Sequence, residues 1–187
     1  MGAAAAQSVA ELGAEVIVMD VASVEYPCTQ TLKVDLRDQA SVETAIKQIS
    51  APINAIFSCA GVADGPGLML INFIAQRHLI DRLLEQGKLG RGAAIAMISS
   101  AAGMGWQNNL PQTLEFLDCA GWEAAAAWVE SHPGTDNYLF SKQVMSTYVA
   151  RESFHLLRKG IRLNSVLPGP TDTPLARANA DTGLTFG

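Results

Sequence analysis

Short apolar runs alternate with helical segments five times along this chain of 187 residues. The predicted strands are Glu15–Asp20, Thr31–Leu36, Ile53–Cys59, Ala93–Ser99 and Ile161–Leu167. No Asn-Gly or Asp-Gly turn joins neighbouring strands, so each connection is expected to be a helical crossover between parallel strands. The alternation therefore predicts an α/β fold, a doubly wound parallel sheet in a single domain over residues 1–187.

Apolar residues at helical spacing fill the connections between the strands. The predicted helices are Gly2–Leu12, Asp38–Ile49, Leu68–Glu85 and Asn137–Arg158. Residues 101–137 are expected to be irregular with helical pieces, notably Trp122–Glu130. The remainder, up to Gly187, is expected to be loop-like or weakly helical.

The composition is that of a globular protein, with 49% hydrophobic and 17% charged residues. The net charge of -5 gives no indication of a nucleic-acid or anionic-membrane partner. No apolar run approaches the roughly 20 residues that cross a bilayer, and the N-terminal segment lacks a basic region. We expect a cytoplasmic protein. The three cysteines and three histidines have no metal-ligand spacing, so no metal site is expected.

Ligands of open parallel sheets bind beyond the carboxyl ends of the strands. The residues that end the predicted strands should therefore carry the chemistry, and they are Asp20, Asp35, Ser58 to Gly61, Ser99, Ser100 and Pro168 to Thr173. Taken singly, each has an ordinary structural interpretation, such as a solvated aspartate, a strand stop or a rigid turn. Thr173 could equally be a helix cap.

The sharpest local signal is Tyr138-Leu139-Phe140-Ser141-Lys142, a YxxxK pattern on a predicted helix. Positions i and i+4 share one face of a helix, so both side chains can reach one site. A nearby ammonium favours the phenolate form of a tyrosine, which can then exchange a proton with a substrate hydroxyl near neutral pH.

Two further polar positions fit this chemistry, although each leaves an alternative open. Ser99 and Ser100 end a buried strand where a second hydroxyl would hold a substrate oxygen, or they provide turn chemistry. Asn72 lies inside a predicted helix, where it either kinks the helix and binds a water or faces solvent.

Asp20 indicates the cofactor preference. An acid about 20 residues beyond a glycine turn, here Gly2, accepts a hydrogen bond from the ribose 2′-hydroxyl of a dinucleotide. A carboxylate there repels the additional phosphate of NADP, and the next residue is Val21 rather than Arg or Lys. The pattern favours NAD.

The order of these motifs resembles the short-chain dehydrogenase/reductase family across essentially the whole chain. The matching elements are the Gly2-Ala-Ala-Ala-Ala helix start, Asp20, Ser58-Cys59-Ala60-Gly61 in place of NNAG, Asn72, Ser100, Tyr138 with Lys142, and Pro168-Gly169 with Thr173. The resemblance implies a Rossmann-type sheet and an enzyme that moves a hydride between NAD(H) and an alcohol or ketone. It also implies a homo-dimer or homo-tetramer.

The resemblance implies a catalytic tetrad of Asn72, Ser100, Tyr138 and Lys142. Tyr138 would be the acid/base, and Ser100 would orient the substrate oxygen, with Ser99 still possible. Lys142 would bind the nicotinamide ribose and favour the ionised tyrosine, while Asn72 would hold a water. The implied cofactor contacts are Gly2, Asp20, Asp35, Leu36, Ala60, Gly61, Tyr138, Lys142, Pro168, Gly169, Thr171 and Thr173. Of these, Asp35 and Leu36 would flank the adenine.

The chain departs from the family pattern at its start, where only Gly2 matches the TGxxxGxG loop. The family's first strand, normally central in the sheet, has no counterpart, so two strands are expected to lack their shared neighbour. The sequence is also expected to lack the family's final helix and strand.

A second departure is an insertion between Ser100 and Tyr138, at about residues 106–135. Its apolar residues are Leu110, Leu114, Phe116, Leu117, Trp122 and Trp128. They either cover the substrate pocket or pack against the body of the domain. The insertion resembles that of bacterial 3α-hydroxysteroid dehydrogenase/carbonyl reductases, which implies a bulky hydrophobic substrate such as a hydroxysteroid or an aryl alcohol.

Two functions follow from these patterns. The first is an active NAD-dependent oxidoreductase, which the complete tetrad supports. The second is a truncated, non-catalytic chain of the same fold that acts through protein interactions, which the missing glycine loop supports. A nucleotide-sugar epimerase or dehydratase shares YxxxK but is disfavoured, because those chains carry a larger C-terminal substrate domain.

Overall fold

The computed structural model describes residues 1–173 and 176–177 of the chain. The strands are β1 (Ile17–Asp20), β2 (Gln30–Lys33), β3 (Ile53–Ser58), β4 (Leu89–Ile98) and β5 (Arg162–Val166). The α-helices are α1 (Gly2–Glu11), α2 (Gln39–Gln48), α3 (Ala75–Glu85), α4 (Leu110–Leu117), α5 (Gly121–Ser131) and α6 (Tyr138–Arg158). All five predicted strands and all four predicted helices are present, with shifted ends.

All strand pairs are parallel, and they form two separate groups. β1 pairs with β2, while β4 lies between β3 and β5. No ladder joins β1 to β3 in the described part of the chain. This is the arrangement expected if the two strands lack a shared neighbour, and both present an unpaired edge.

One face of the three-stranded group is buried and the other is largely open. The register aligns Ile56 with Ile95 and Ile95 with Leu163, and these side chains belong to the core beneath α3 and α6. On the opposite face, Phe57 aligns with Ala96, and the side chain of Phe57 is 47% exposed. Val166 on the same face is also exposed.

The insertion packs against the body of the domain. The rings of Phe116 and Trp128 lie 5.2 Å apart, and Phe116 also contacts Phe73, which precedes α3. Trp128 stacks on Phe140 of α6. Trp122 is buried with its ring edge-on to His78. The alternative in which these aromatic residues only pack against the body is therefore the one observed.

The helical pieces expected within residues 101–137 are α4 and α5, and α5 includes the expected Trp122–Glu130. One local prediction needs correction. The predicted helix Leu68–Glu85 begins as a π-helical turn, Leu70–Ile74, before α3. The prediction for residues 178–187 lies outside the described residues. No helix in the described part of the chain is long and apolar enough to cross a membrane.

Candidate functional site

The carboxyl edge of β4 and the first turns of α6 bring the YxxxK pair into one place. Asn137 caps α6, since its side chain accepts a hydrogen bond from the Phe140 amide at 2.9 Å. This cap begins the helix at Tyr138 and puts Lys142 one turn later. The Nζ of Lys142 lies 5.4 Å from the centre of the Tyr138 ring and donates to the Ile98 carbonyl at 2.7 Å.

Lys142 is almost completely buried, with 4% of its surface exposed. Burial lowers the pKa of its ammonium to about 8. The side chain of Lys142 is therefore charged at neutral pH, and this buried charge lowers the free energy of unfolding. Among the described residues, none hydrogen-bonds the hydroxyl of Tyr138, so this group remains available to a ligand.

The two serines that follow β4 occupy different environments. Ser99 is buried, and its hydroxyl is engaged with the Lys142 carbonyl at 3.0 Å and with Ser146 Oγ at 3.1 Å. Ser100 is partly exposed, and its Oγ accepts from the Ala102 amide at 3.1 Å. The hydroxyl proton of Ser100 is thus free for another acceptor, whereas Ser99 ties the strand end to α6.

Asn72 lies in the π-helical turn and is fully buried, so the solvent-facing interpretation is wrong. Its Oδ1 accepts from the Val62 amide at 2.8 Å, and its Nδ2 donates to the Val62 carbonyl at 2.9 Å and to Ser141 Oγ at 3.1 Å. The side chain therefore joins the loop after β3 to α6. Single π-turns occur often at functional sites.

The loop after β3 passes very close to these side chains. A Cβ built on Gly61 would lie 3.3 Å from Asn72 Oδ1 and 3.8 Å from Lys142 Nζ. A side chain at position 61 would therefore intrude between the two polar groups. Ala60, the preceding residue, is held by Gln76, whose Nε2 donates to the Ala60 carbonyl at 2.8 Å.

The start of α1 meets the same loop. A Cβ built on Gly2 would lie 3.2 Å from the Cβ of Cys59, so a larger residue would be crowded there. Burial raises the pKa of the Cys59 thiol, and the Lys142 ammonium counters this in part. Cys59 stands where the family pattern has asparagine, and the structure places it between α1 and Lys142.

Asp20 and Tyr26 lie at the end of β1 and in the loop that follows it. Asp20 ends β1 and is exposed, with its Oδ1 accepting from the Ala22 amide at 2.9 Å. Burial, and then the carboxylate of Asp20, raises the pKa of Tyr26. The neighbouring thiols of Cys28 and Cys59 act in the same direction, so the loop after β1 approaches the end of β3.

Asp35 and Leu36 follow β2. The Arg37 guanidinium hydrogen-bonds both oxygens of Asp35, at 3.0 and 2.8 Å, and together with the Arg37 amide it holds the pKa of this carboxyl at about 2. Leu36 is partly buried against the core. Asp35 is therefore ionised and already paired at neutral pH.

The turn after β5 is attached to the turn that carries Ser100. The Ala101 amide donates to the Pro168 carbonyl at 2.9 Å. The hydroxyl of Thr171 donates to the Gly169 carbonyl at 3.0 Å, and Thr173 Oγ1 accepts from the Ala176 amide at 3.2 Å. The last contact is the helix-cap geometry that the sequence left open for Thr173.

The structure thus gathers the candidate residues in two groups at one edge. Lys142 links Tyr138 to the loop at Gly61 and Asn72, and Ser100 lies on the turn next to α6. Asp20 lies at the other side, beyond Tyr26. Sequence reasoning missed Gln76, Tyr26 and Gly103. A single glutamine in a helix or tyrosine in a loop gives no periodic signal, although the glycine could have been found from its place after two alanines.

Metal-ligand groups and cavities are the other features of the described residues that bear on ligand binding. The described residues contain no group of three or more His, Cys, Asp or Glu side chains placed to hold a metal ion. A cavity of about 380 Å³ lies instead between α3, α6 and the α4–α5 turn, lined in part by Arg77, Asp81 and Tyr148. The residues that line this cavity do not include Tyr138 or Lys142.

Comparison with known proteins supports this assignment of fold. No protein-family model matches the chain. The 3-alpha-hydroxysteroid dehydrogenase/carbonyl reductase of Comamonas testosteroni is 28% identical over 191 residues, covering 95% of this chain and 71% of the relative.

Two solved structures are similar to the fold. The 3-alpha-hydroxysteroid dehydrogenase of Pseudomonas sp. B-0831, complexed with NADH, aligns with a TM-score of 0.76 at 23% identity, over 95% of this chain and 71% of that one. A short chain dehydrogenase family protein of Francisella tularensis aligns with a TM-score of 0.67 at 19% identity, over 96% and 72%. The chain has the fold of the short-chain dehydrogenases and is similar over 95% of its length to a curated hydroxysteroid dehydrogenase/carbonyl reductase.

Proposed function

We propose that the chain is an NAD-dependent oxidoreductase that interconverts a secondary alcohol and a ketone. The observation that carries this proposal is the position of Lys142. Its ammonium lies 5.4 Å from the Tyr138 ring and next to the loop at Gly61, so one buried cation serves both a proton-transfer group and a candidate nucleotide loop. The similarity to an enzyme of this class over 95% of the chain supports it.

The residues at the edge fit a dinucleotide. Gly61 has no side chain beside Asn72 Oδ1 and Lys142 Nζ, so its backbone can lie against a flat ligand there. Asp20 has a second carboxylate oxygen free for a ribose hydroxyl, and α1 begins at Gly2 beside the loop. Ala60, Gly61, Tyr138, Lys142 and the turn from Pro168 to Thr173 would hold the nicotinamide half. Asp35 and Leu36 would flank the adenine.

NAD(H), when bound, supplies or accepts the hydride. The chain's own residues handle the proton. Tyr138 gives its proton to the substrate oxygen during reduction and takes it back during oxidation. The ammonium of Lys142 favours the phenolate that remains, and the free hydroxyl of Ser100 orients the substrate oxygen. Asn72 fixes the loop and the π-helical turn, where a water could be held.

A bulky hydrophobic substrate, such as a hydroxysteroid or an aryl alcohol, is the class we propose. The name of the 28% identical relative supports it. The aromatic residues of the insertion do not, because Phe116, Trp122 and Trp128 are buried against the body of the domain. We propose a homo-dimer or homo-tetramer as the assembly, which light scattering would test directly.

The test is a fluorescence titration of the purified chain with NADH, followed by assays with hydroxysteroids and aryl alcohols. Saturable binding and turnover that Tyr138→Phe abolishes, without loss of NADH binding, would support the proposal. No binding at millimolar NADH would overturn it for this chain. The second candidate would then be a non-catalytic chain of the same fold that acts through protein interactions, for which the unpaired edges of β1 and β3 offer a surface.

A further inference from the structure

Gln76 presents an unusual combination of contacts. It lies in the first turn of α3 and is 4% exposed. Its Nε2 donates to the Ala60 carbonyl at 2.8 Å and to the Ile71 carbonyl at 3.0 Å. Its Oε1 is the one buried side-chain N or O atom without a hydrogen-bond partner in the described part of the chain. Turning the amide over would set an oxygen against two carbonyl oxygens, so the orientation is fixed.

The unpartnered oxygen contributes no hydrogen bond to the described fold. A buried acceptor without a donor destabilises a folded protein, and an apolar side chain of similar length would avoid that cost. What an apolar side chain cannot supply is the pair of N–H groups. The contacts of Gln76 that depend on its chemistry are therefore those with Ala60 and Ile71.

Those contacts hold the loop from one side while Asn72 holds it from the other. Asn72 makes two hydrogen bonds with the backbone of Val62. Gln76, four residues later and thus on the same helical face, fixes the carbonyl of Ala60. Gly61 lies between these two anchors, close to Lys142 Nζ.

We propose that Gln76 is a positioning residue for the dinucleotide loop Ala60–Val62, acting on the cofactor through the Ala60 carbonyl and not by touching the reacting atoms. The inference rests on the proposed function for its effect on NADH. Its structural part, that Gln76 orders this loop, stands without it.

The substitution Gln76→Met keeps the length and the apolar contacts but removes both N–H donors. Gln86→Met, an exposed position just beyond the end of the same helix, is the matched control. We expect faster amide hydrogen exchange at Val62 and its neighbours in Gln76→Met, with the amides of β4 unchanged. The KM for NADH should rise by about 3- to 30-fold. The kcat at saturating NADH and its pH profile should stay those of the wild type, because Tyr138 and Lys142 are untouched.

Unchanged exchange at the loop, or an equal increase across β4, would overturn the proposal. So would a loop that exchanges faster while the affinity for NADH is unaltered. If the wild-type chain itself fails to bind NADH, the proposed function falls, and the exchange measurement alone then supports or overturns the role of Gln76 in ordering the loop.

A second variant covers the case in which Gln76→Met does not fold. In Gln76→Glu the carboxylate would face two carbonyl oxygens, whereas the protonated acid has one donor. We expect its loop exchange, corrected for the intrinsic effect of pH, to approach that of the wild type as the pH falls from about 8 to about 6. No recovery relative to the wild type over that range would count against the proposal.

Discussion

Gly103 lies directly against the backbone of Lys142. A Cβ built on Gly103 would stand 2.8 Å from the Lys142 carbonyl oxygen and 3.0 Å from Ser99 Oγ. The backbone carbonyl has no freedom to move away, since it also accepts hydrogen bonds from Ser99 and Ser146. The absence of a side chain at position 103 therefore sets the distance between the turn carrying Ser100 and the helix carrying Lys142.

We expect Gly103→Ala to destabilise the fold by about 1–3 kcal/mol, as overpacking of a close contact does. It should also reduce turnover, because the turn must shift and carry Ser100 with it. Urea unfolding and a ketone-reduction assay check the two effects. Gly90→Ala is the control, since a Cβ there meets nothing within 4 Å. Equal stability and activity in Gly103→Ala would show that the contact is not restrictive.

Lys142→Met should make the chain more stable at pH 7 while abolishing turnover. Burial lowers the pKa of Lys142 from 10.5 to about 8, so the folded protein holds an ammonium at a cost on the order of 3 kcal/mol. Between those two values the folded chain binds fewer protons than the unfolded chain. The stability of the wild type therefore rises with pH through this window, and the advantage of the methionine variant should shrink.

Urea unfolding of both proteins at pH 7, 9 and about 10.5 measures this convergence. Lys47→Met, at an exposed position of α2, is the control and should not show the same trend. A stability advantage that is constant or grows with pH would mean that burial of the ammonium is not what the substitution relieves.

The elements could be predicted from the sequence because each strand is a separate apolar run between residues that break it. Their ends were less predictable. β4 begins at Leu89 and runs through Gly90 and Gly92, because Leu89 pairs with Ile53 of β3 before a shift in register. The helix α4 was expected only as one of several helical pieces without bounds, and its Pro111 lies in the first turn, where proline is well tolerated.

The candidate site divides in a similar way. Tyr138, Lys142 and Ser100 could be proposed from the sequence because the roles assigned to them depend on local spacing and on strand ends. The two interactions of Asn72 with Val62, and the bond from Gln76 to Ala60, depend on how the loop folds back onto the π-helical turn. That turn has no periodic signature in the sequence, so the residues that hold the loop could not be assigned beforehand.

Asp20→Ala should weaken NADH binding by about tenfold or more, because a carboxylate that accepts from a ribose hydroxyl contributes a charge-assisted bond. Adding Val21→Arg should shift the preference towards NADPH, since Val21 is exposed beside Asp20 and an arginine there can pair with the 2′-phosphate. Titrations with both nucleotides measure the ratio. Glu123→Ala, on the exposed side of α5, should leave it unchanged. An unaltered ratio in the double variant would place the ribose elsewhere.

NADH should protect Cys59 from alkylation. The thiol lies where the loop after β3 meets α1 and Lys142, which is where the proposed nucleotide would pass. Because alkylation proceeds through the thiolate and burial raises the pKa of this thiol, labelling with iodoacetamide is best followed at mildly alkaline pH.

Mass spectrometry of the Cys59 and Cys119 peptides gives the two rates of alkylation. Cys119 lies at the α4–α5 junction and lines the cavity that does not include Tyr138 or Lys142. It should therefore be alkylated at the same rate with and without NADH. If saturating NADH leaves the rate at Cys59 unchanged while fluorescence shows it bound, the nucleotide does not lie against this loop, and the assignment of Ala60 and Gly61 to the cofactor is wrong.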